Sequence, residues 1–341
     1  MTQTPVKMDS LYERLKDIGF PKQFIRQQAL PDWWDEELET NSSAVVEAAA
    51  YISRRLNLDI LSLLKPEKSL SFKSSCQAKF KTIQGTQSEK LVVAKCMAAR
   101  IAEMVAYTFK NELKLLPNTA QAVRNEILVS QKFVNLEGLL NWCSDYGIPV
   151  VHFNGFPKNK RIHKFHGMVA YVYSHPVIVI SLNQPFDAWL LFILAHELGH
   201  LIKGHVNAGT IIDEEVLPES VDNEEIEANE FAVELLFGKP DMTYYTPRFL
   251  NGEELADYAW NVSKRDNVDP GVVVLNYTWS KANLVSSKNK KPIWTTAIKA
   301  LKLIKSDGNA PLTINQHLRE NLDLERLDED SQEYLELTIG G

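Results

Sequence analysis

Residues 189–202 are WLLFILAHELGHLI. Wound as a helix, this stretch presents apolar side chains in every direction, so it must be buried all round. Yet it carries His196, Glu197 and His200. Buried polar groups without partners are costly, so the fold must bury this helix and still satisfy three polar side chains inside. A metal ion does so. Helix positions i and i+4 lie about 40° apart on one face, so His196 and His200 can aim two imidazoles at one ion. Glu197, about 100° from His196, can serve water at the metal rather than bind the metal itself. Zinc lowers the pKa of such water toward ~7, and a neighbouring carboxylate then acts as general base. By composition alone, H-E-x-x-H would arise about 0.015 times in a chain of this size.

Two histidines leave a ligand missing. His205 is five residues past His200, about 140° round the helix and on another face. It is expected at the helix end or behind a ligand, with Gly204 ending the helix before it. The segment DNEEIEANEFAVELLFG offers a better donor. In helical phase, Glu225 lies in the middle of a stripe made by Ala228, Asn229, Ala232, Leu235 and Leu236, whereas Glu227, Glu230 and Glu234 fall on the opposite, solvated face. A carboxylate centred on an apolar stripe calls for a partner, and the metal supplies it. The alternative is a carboxylate stabilising its own helix start. Asn229, one turn on, shares the face and can accept a hydrogen bond from the ring N–H of a ligand histidine. Two His and one Glu suit Zn2+ best among common ions.

The 341 residues suggest more than one domain. The longest apolar run, Ala188 to Ala195, is far shorter than the roughly 20 residues a membrane helix needs, and the N-terminus lacks an apolar signal core. Three separated cysteines without C-x-x-C argue against a disulfide framework. A soluble, cytoplasmic protein with no membrane contact is expected. The net charge of −7 is concentrated in residues 116–245, which disfavours non-specific nucleic-acid binding there.

Along the chain, residues 9–63 suggest short helices, the clearest being SSAVVEAAAYISRRLN. Residues 64–90 are Ser/Lys-rich and suggest a linker or irregular strands, and 91–114 return to helix. Residues 120–147 are helical, 148–153 form a short strand, and GMVAYVY and PVIVISL form a hairpin. Asn183-Gln184-Pro185 opens the histidine-bearing helix. A polar loop over 207–223 leads to the second helix, ending at Gly238 and Pro240. The last hundred residues are mostly helical, and ERLDEDSQEYLELTIGG is expected as a solvated acidic tail.

The order of a strand pair, then AHELGH, then ExEANxFAxxLL resembles the ImmA/IrrE family of bacterial and phage metallopeptidases, which are gluzincin-like. The resemblance covers roughly residues 120–240. It implies His196, His200 and Glu225 as zinc ligands and Glu197 as the general base. Family members are typically regulators that cleave helix-turn-helix repressors or related partners, so the resemblance implies a protein substrate, a helix-turn-helix regulator or the product of a neighbouring gene. The stretch VVEAAAYISRRLNLDILSLLKP resembles the last helices of a repressor-like domain. The part that should hold a recognition helix, ALPDWWDEELE, is acidic and contains a proline, so DNA contact is not indicated and a helical dimerisation or partner-docking module fits better. In zinc peptidases of this type an edge strand beside the metal pairs with the substrate, and Val177, Ile178, Val179 and Ile180 are expected to be that strand. His205, Tyr244, Tyr245 and Arg248 are open candidates for stabilising the oxyanion.

The expected fold is α+β and mostly helical. A zincin-like metallopeptidase core with a small sheet (116–245) lies between a helical N-terminal region (1–115) and a mostly helical C-terminal region (246–341). The expected function is a zinc-dependent endopeptidase acting on a specific protein. The competing expectation is a non-catalytic antitoxin or transcription regulator with a structural metal site. Oligomeric state is not indicated.

Overall fold

The computed structural model describes residues 6–73, 89–158, 162, 165–172, 175–206, 210–213, 222–305 and 308–340, without the side chains of 89–90 and 210–213. Among the helices that come first are α1 (Met8–Asp17), α2 (Ser42–Leu56), α3 (Ile60–Leu64) and α4 (Glu89–Thr108). Then follow α5 (Ala120–Ile127), α6 (Leu136–Asp145), the strands β1 (Val150–His152), β2 (Gly167–Val172) and β3 (His175–Ile180), and α7 (Asp187–Ile202). Strand β4 (Thr210–Asp213) precedes α8 (Asn223–Phe237). The chain closes with α9 (Gly252–Asp266), α10 (Pro270–Ala282), α11 (Lys290–Ile304), α12 (Ala310–Glu320) and α13 (Glu329–Ile339). The fold is α+β and mostly helical. No helix among the described residues is long and apolar enough to cross a membrane.

The sheet order is β1-β3-β2-β4. β2 and β3 form the expected antiparallel hairpin, β1 runs parallel to β3, and β4 runs antiparallel to β2. Both faces are covered, which is why β2 and β3 are near-continuous apolar runs rather than alternating ones. Val150, Val169, Ile178 and Ile180 join the core containing α7. Val151, Met168, Ala170, Val172, Val177 and Val179 join a second core built from α1, α2 and α4. The histidine-bearing helix and the N-terminal helices therefore sit on opposite faces of one sheet. The outer edge of β1 is capped by a side chain: Asn315 accepts from the His152 N–H (2.9 Å) and donates to its carbonyl (3.0 Å).

Four expectations are corrected. First, β3 is not an edge strand. Val177 to Ile180 lie between β1 and β2, fully buried, with both sides of the backbone paired. The hydrophobicity that marks these residues as a strand is the signature of a central one. Second, the loop over 207–223 contains β4, announced only by the β-branched Thr210-Ile211-Ile212. Third, the acidic C-terminus is not a solvated tail. It forms α13, with Tyr334, Leu335 and Ile339 buried in the second core. Its carboxylates meet a buried cation: Arg55, 1% exposed, bonds Asp330 and Glu333 at 2.8 Å each and the Leu30 carbonyl at 3.1 Å. Fourth, Cys143 is a free buried thiol, but Cys96 is disulfide-bonded. In addition, α4 ends at Thr108, short of the expected 114.

Candidate metal centre

Helix α7 ends in a Schellman turn. Gly204, at φ +73°, takes the left-handed conformation, its N–H reaching Leu201 O (3.2 Å) and the His205 N–H reaching His200 O (3.0 Å). This turn folds His205 back against His200. Helical phase alone places it on another face, but the residue after a Schellman glycine meets the residue five positions earlier. The rings touch, Nδ1 to Nδ1, at 2.9 Å.

Helix α8 is capped by Asp222, which accepts from the Glu224 N–H, and stops at Gly238, φ +83°. Its last carbonyls, of Leu235 and Leu236, are held by the Arg124 guanidinium at 2.9 Å each. α7 and α8 pack closely because residue 199 is glycine. A Cβ there would stand 3.0 Å from Ala228 O and 3.2 Å from Phe231 Cβ. That approach brings Glu225 to the two histidines. Glu225 and Asn229 are buried, whereas Glu227 and Glu230 are exposed, as the helical phase predicts.

His196, His200 and Glu225 form the one group able to hold a metal ion among the described residues. The Nε2 atoms of the two histidines are 3.1 Å apart, and each lies 3.4 Å from a carboxylate oxygen of Glu225. Two donors held tetrahedrally at about 2.0–2.1 Å from a metal stand about 3.3 Å apart. The spacing and the donor types thus fit zinc. Burial raises the Glu225 pKa, but the His196 and His200 rings beside it outweigh burial and hold the carboxyl well below its usual range. Glu225 is therefore a carboxylate, the form a metal requires.

The outer ring nitrogens are also fixed. With Nε2 of His196 facing the metal, its Nδ1–H donates to Asn229 Oδ1 (3.0 Å). By the same logic His200 Nδ1–H donates to His205 Nδ1, and His205 Nε2–H donates to Glu227 Oε2 (3.2 Å). Glu227, on the solvated face of its own helix, thus anchors the ring behind His200. Phase analysis of α8 alone does not find this role.

Glu197 is fully buried and supplies no atom to the three-ligand group. Its carboxylate lies against Gly167 at the start of β2, where a Cβ would come within 2.6 Å of its Cδ and 2.8 Å of its Cγ. Glycine at 167 is what leaves space for this carboxylate. Gly167 pairs with Asp213, so β4, the end strand on this side, runs beside Glu197.

The oxyanion candidates do not converge here. His205 stands behind His200 and is engaged on both ring nitrogens. Tyr244 bonds Asp266 and packs on Phe237, which is twelve residues, or about 18 Å, along α8 from Glu225. Tyr245 covers the Lys281 ammonium, and Arg248 is paired with Glu254. None of the four faces the metal position.

Residues 143–273 match the family model of the IrrE N-terminal-like domain, Peptidase_M78. Over this segment the chain is similar to the IrrE N-terminal-like family. The M78 segment takes in the whole sheet, α7 and α8, and runs on through α9 into α10. The match suggests a metallopeptidase-type domain, and the buried His-His-Glu group within it could hold the metal ion. No curated protein matches the chain.

Proposed function

We propose that the chain is a zinc-dependent endopeptidase that cuts one specific protein partner, a repressor-like regulator or the product of a neighbouring gene. His196, His200 and Glu225 would hold the ion. Zinc there would acidify water and polarise a peptide carbonyl. Glu197 would accept the proton of the attacking water and pass it to the leaving amine. Its burial and its seat against Gly167 keep its carboxylate in one place for both transfers. Asn229 and the His205–Glu227 pair hold the ligand rings in the tautomers that leave Nε2 free. The outer edge of β4, the end strand among the described residues, would pair with an extended substrate in place of β3. The carrying observation is Glu197, a fully buried carboxylate beside the metal group that is not one of its donors. A structural metal site, as in a non-catalytic antitoxin or regulator, has no use for it.

The test compares wild type with Glu197→Gln for metal content and for fragments of the neighbouring-gene protein in co-expressing cells. Wild type should yield fragments, and the variant should yield none at equal metal content. Full biological activity in a metal-replete Glu197→Gln protein would sink the peptidase reading.

A further inference from the structure

From Pro270 to Lys305 the chain has seven lysines and no acidic residue, within a protein of net charge −7. This run forms α10, the turn after it, and α11. Helix α11 buries Ala297, Ala300 and Leu301 and turns another face to solvent. Positions 291, 295, 298 and 302 fall within about 60° of one another at ~100° per residue. They are Lys291, Thr295, Ile298 and Lys302, all exposed, with Leu303, also exposed, about 80° further round the helix and Lys288 just before it. Ile298 is 43% exposed and Leu303 54%.

Two lysines of the run are neutralised, Lys299 by Glu253 and Lys305 by Asp187. Lys281 is buried under Tyr245. Lys288, Lys290, Lys291 and Lys302 have no ion-pair partner among the described residues. Lys290 and Lys291 also stand in the first turn of α11, where the helix dipole disfavours cations and no acidic side chain offsets them. An acidic protein that gathers unpaired lysines between two exposed aliphatic side chains has a surface matched to a partner carrying the opposite pattern.

We propose that this face of α11 docks an acidic amphipathic segment of the protein partner, with carboxylates on the lysines and apolar residues on Ile298 and Leu303. The stripe from Lys291 to Lys302 is about 16 Å long, the length of three helical turns. Phosphate backbones have no use for Ile298 and Leu303. Two aliphatic side chains offer little to insert into a bilayer. In its biology this docking rests on the peptidase reading. The binding itself does not.

The test uses the full chain with bound zinc and a labelled amphipathic peptide of about 16 residues built from Glu, Leu and Ala, followed by fluorescence anisotropy. Binding should weaken about tenfold as salt rises from about 50 to about 300 mM. Charge reversal in K288E/K291E/K302E should weaken it at least tenfold, and I298S/L303S about threefold, with melting temperature and zinc content unchanged. Absence of binding, or equal binding by the charge-reversed variant, would overturn the proposal. Tighter binding of a single-stranded oligonucleotide or of phosphatidylserine vesicles to the same lysines would overturn it too. The peptidase reading fails separately: a chain that binds the peptide but cuts nothing leaves the docking face standing. A chain that cuts its partner but ignores the peptide loses only the docking face.

Discussion

Replacing Glu225 by Gln separates the donors of the metal group from their neighbour Glu197. Glu225 meets both ligand histidines at 3.4 Å. The amide keeps its size and can still bond a ring nitrogen, so the metal-free variant should melt close to metal-free wild type. The difference lies in metal binding. An ion that binds only the folded chain, at a thousandfold excess over its Kd, stabilises by about 4 kcal/mol. An unfolding entropy of about 2.1 cal/mol/K per residue gives about 0.7 kcal/mol/K for the 341-residue chain. Zinc should therefore raise the wild-type Tm by about 6 °C relative to a chelator-treated sample. Losing one of three protein donors and about 100-fold in affinity removes about 2.7 kcal/mol. The Glu225→Gln shift should shrink to about 2 °C. Glu197→Gln should keep the full shift, because Glu197 supplies no donor. Scanning fluorimetry with parallel metal analysis gives both values. A full zinc shift in Glu225→Gln, or a lost one in Glu197→Gln, would refute this division of roles.

Gly167→Ala should slow cleavage of the partner by about 100-fold, because a Cβ at that position displaces the Glu197 carboxylate. Zinc content should not change, and a variant with normal turnover would show that Glu197 has room to spare. Leu335→Ala should cost about 2–5 kcal/mol in urea unfolding, because Leu335 is fully buried. A change under about 0.5 kcal/mol would mean that α13 is a surface tail. Burial pushes the Asp269 carboxyl up to about 6, against hydrogen bonds from the Val272 and Gly271 N–H groups. Its folded pKa exceeds its unfolded one, so its stabilising contribution is present at low pH and lost as pH rises through about 6. Asp269→Asn should flatten the fall of Tm between about pH 4 and pH 6.5. An unchanged slope would remove Asp269 as its source.

The metal group was legible in the sequence because helical phase is a local property. His196 and His200 share a face of any helix they occupy, and Glu225 falls on the stripe of Ala228 and Ala232 whatever surrounds it. The hairpin was legible for the same reason. What failed was non-local. Strand order depends on β1 arriving beside β3 across the chain, so Val177 to Ile180 are recognisable as a strand but not as an interior one. The acidity of 325–336 suggests solvent until Arg55, some 275 residues away, is seen to receive Asp330. Gly167 and Glu227 each act on a residue of another element, and neither has a local signature.

The second core joins helices α1, α2 and α4 to Leu318, Leu322, Tyr334, Leu335 and Ile339. During synthesis, the first hundred residues therefore emerge without the apolar surface that completes their packing. The sheet and the metal-binding helices can close beforehand on α7's side. The N-terminal helices must wait for the last turn of α13. A ribosome that stalls or terminates before residue 339 would release a chain whose metal group can assemble but whose opposite sheet face is unfinished. Chaperones and proteases should recognise such chains by that face.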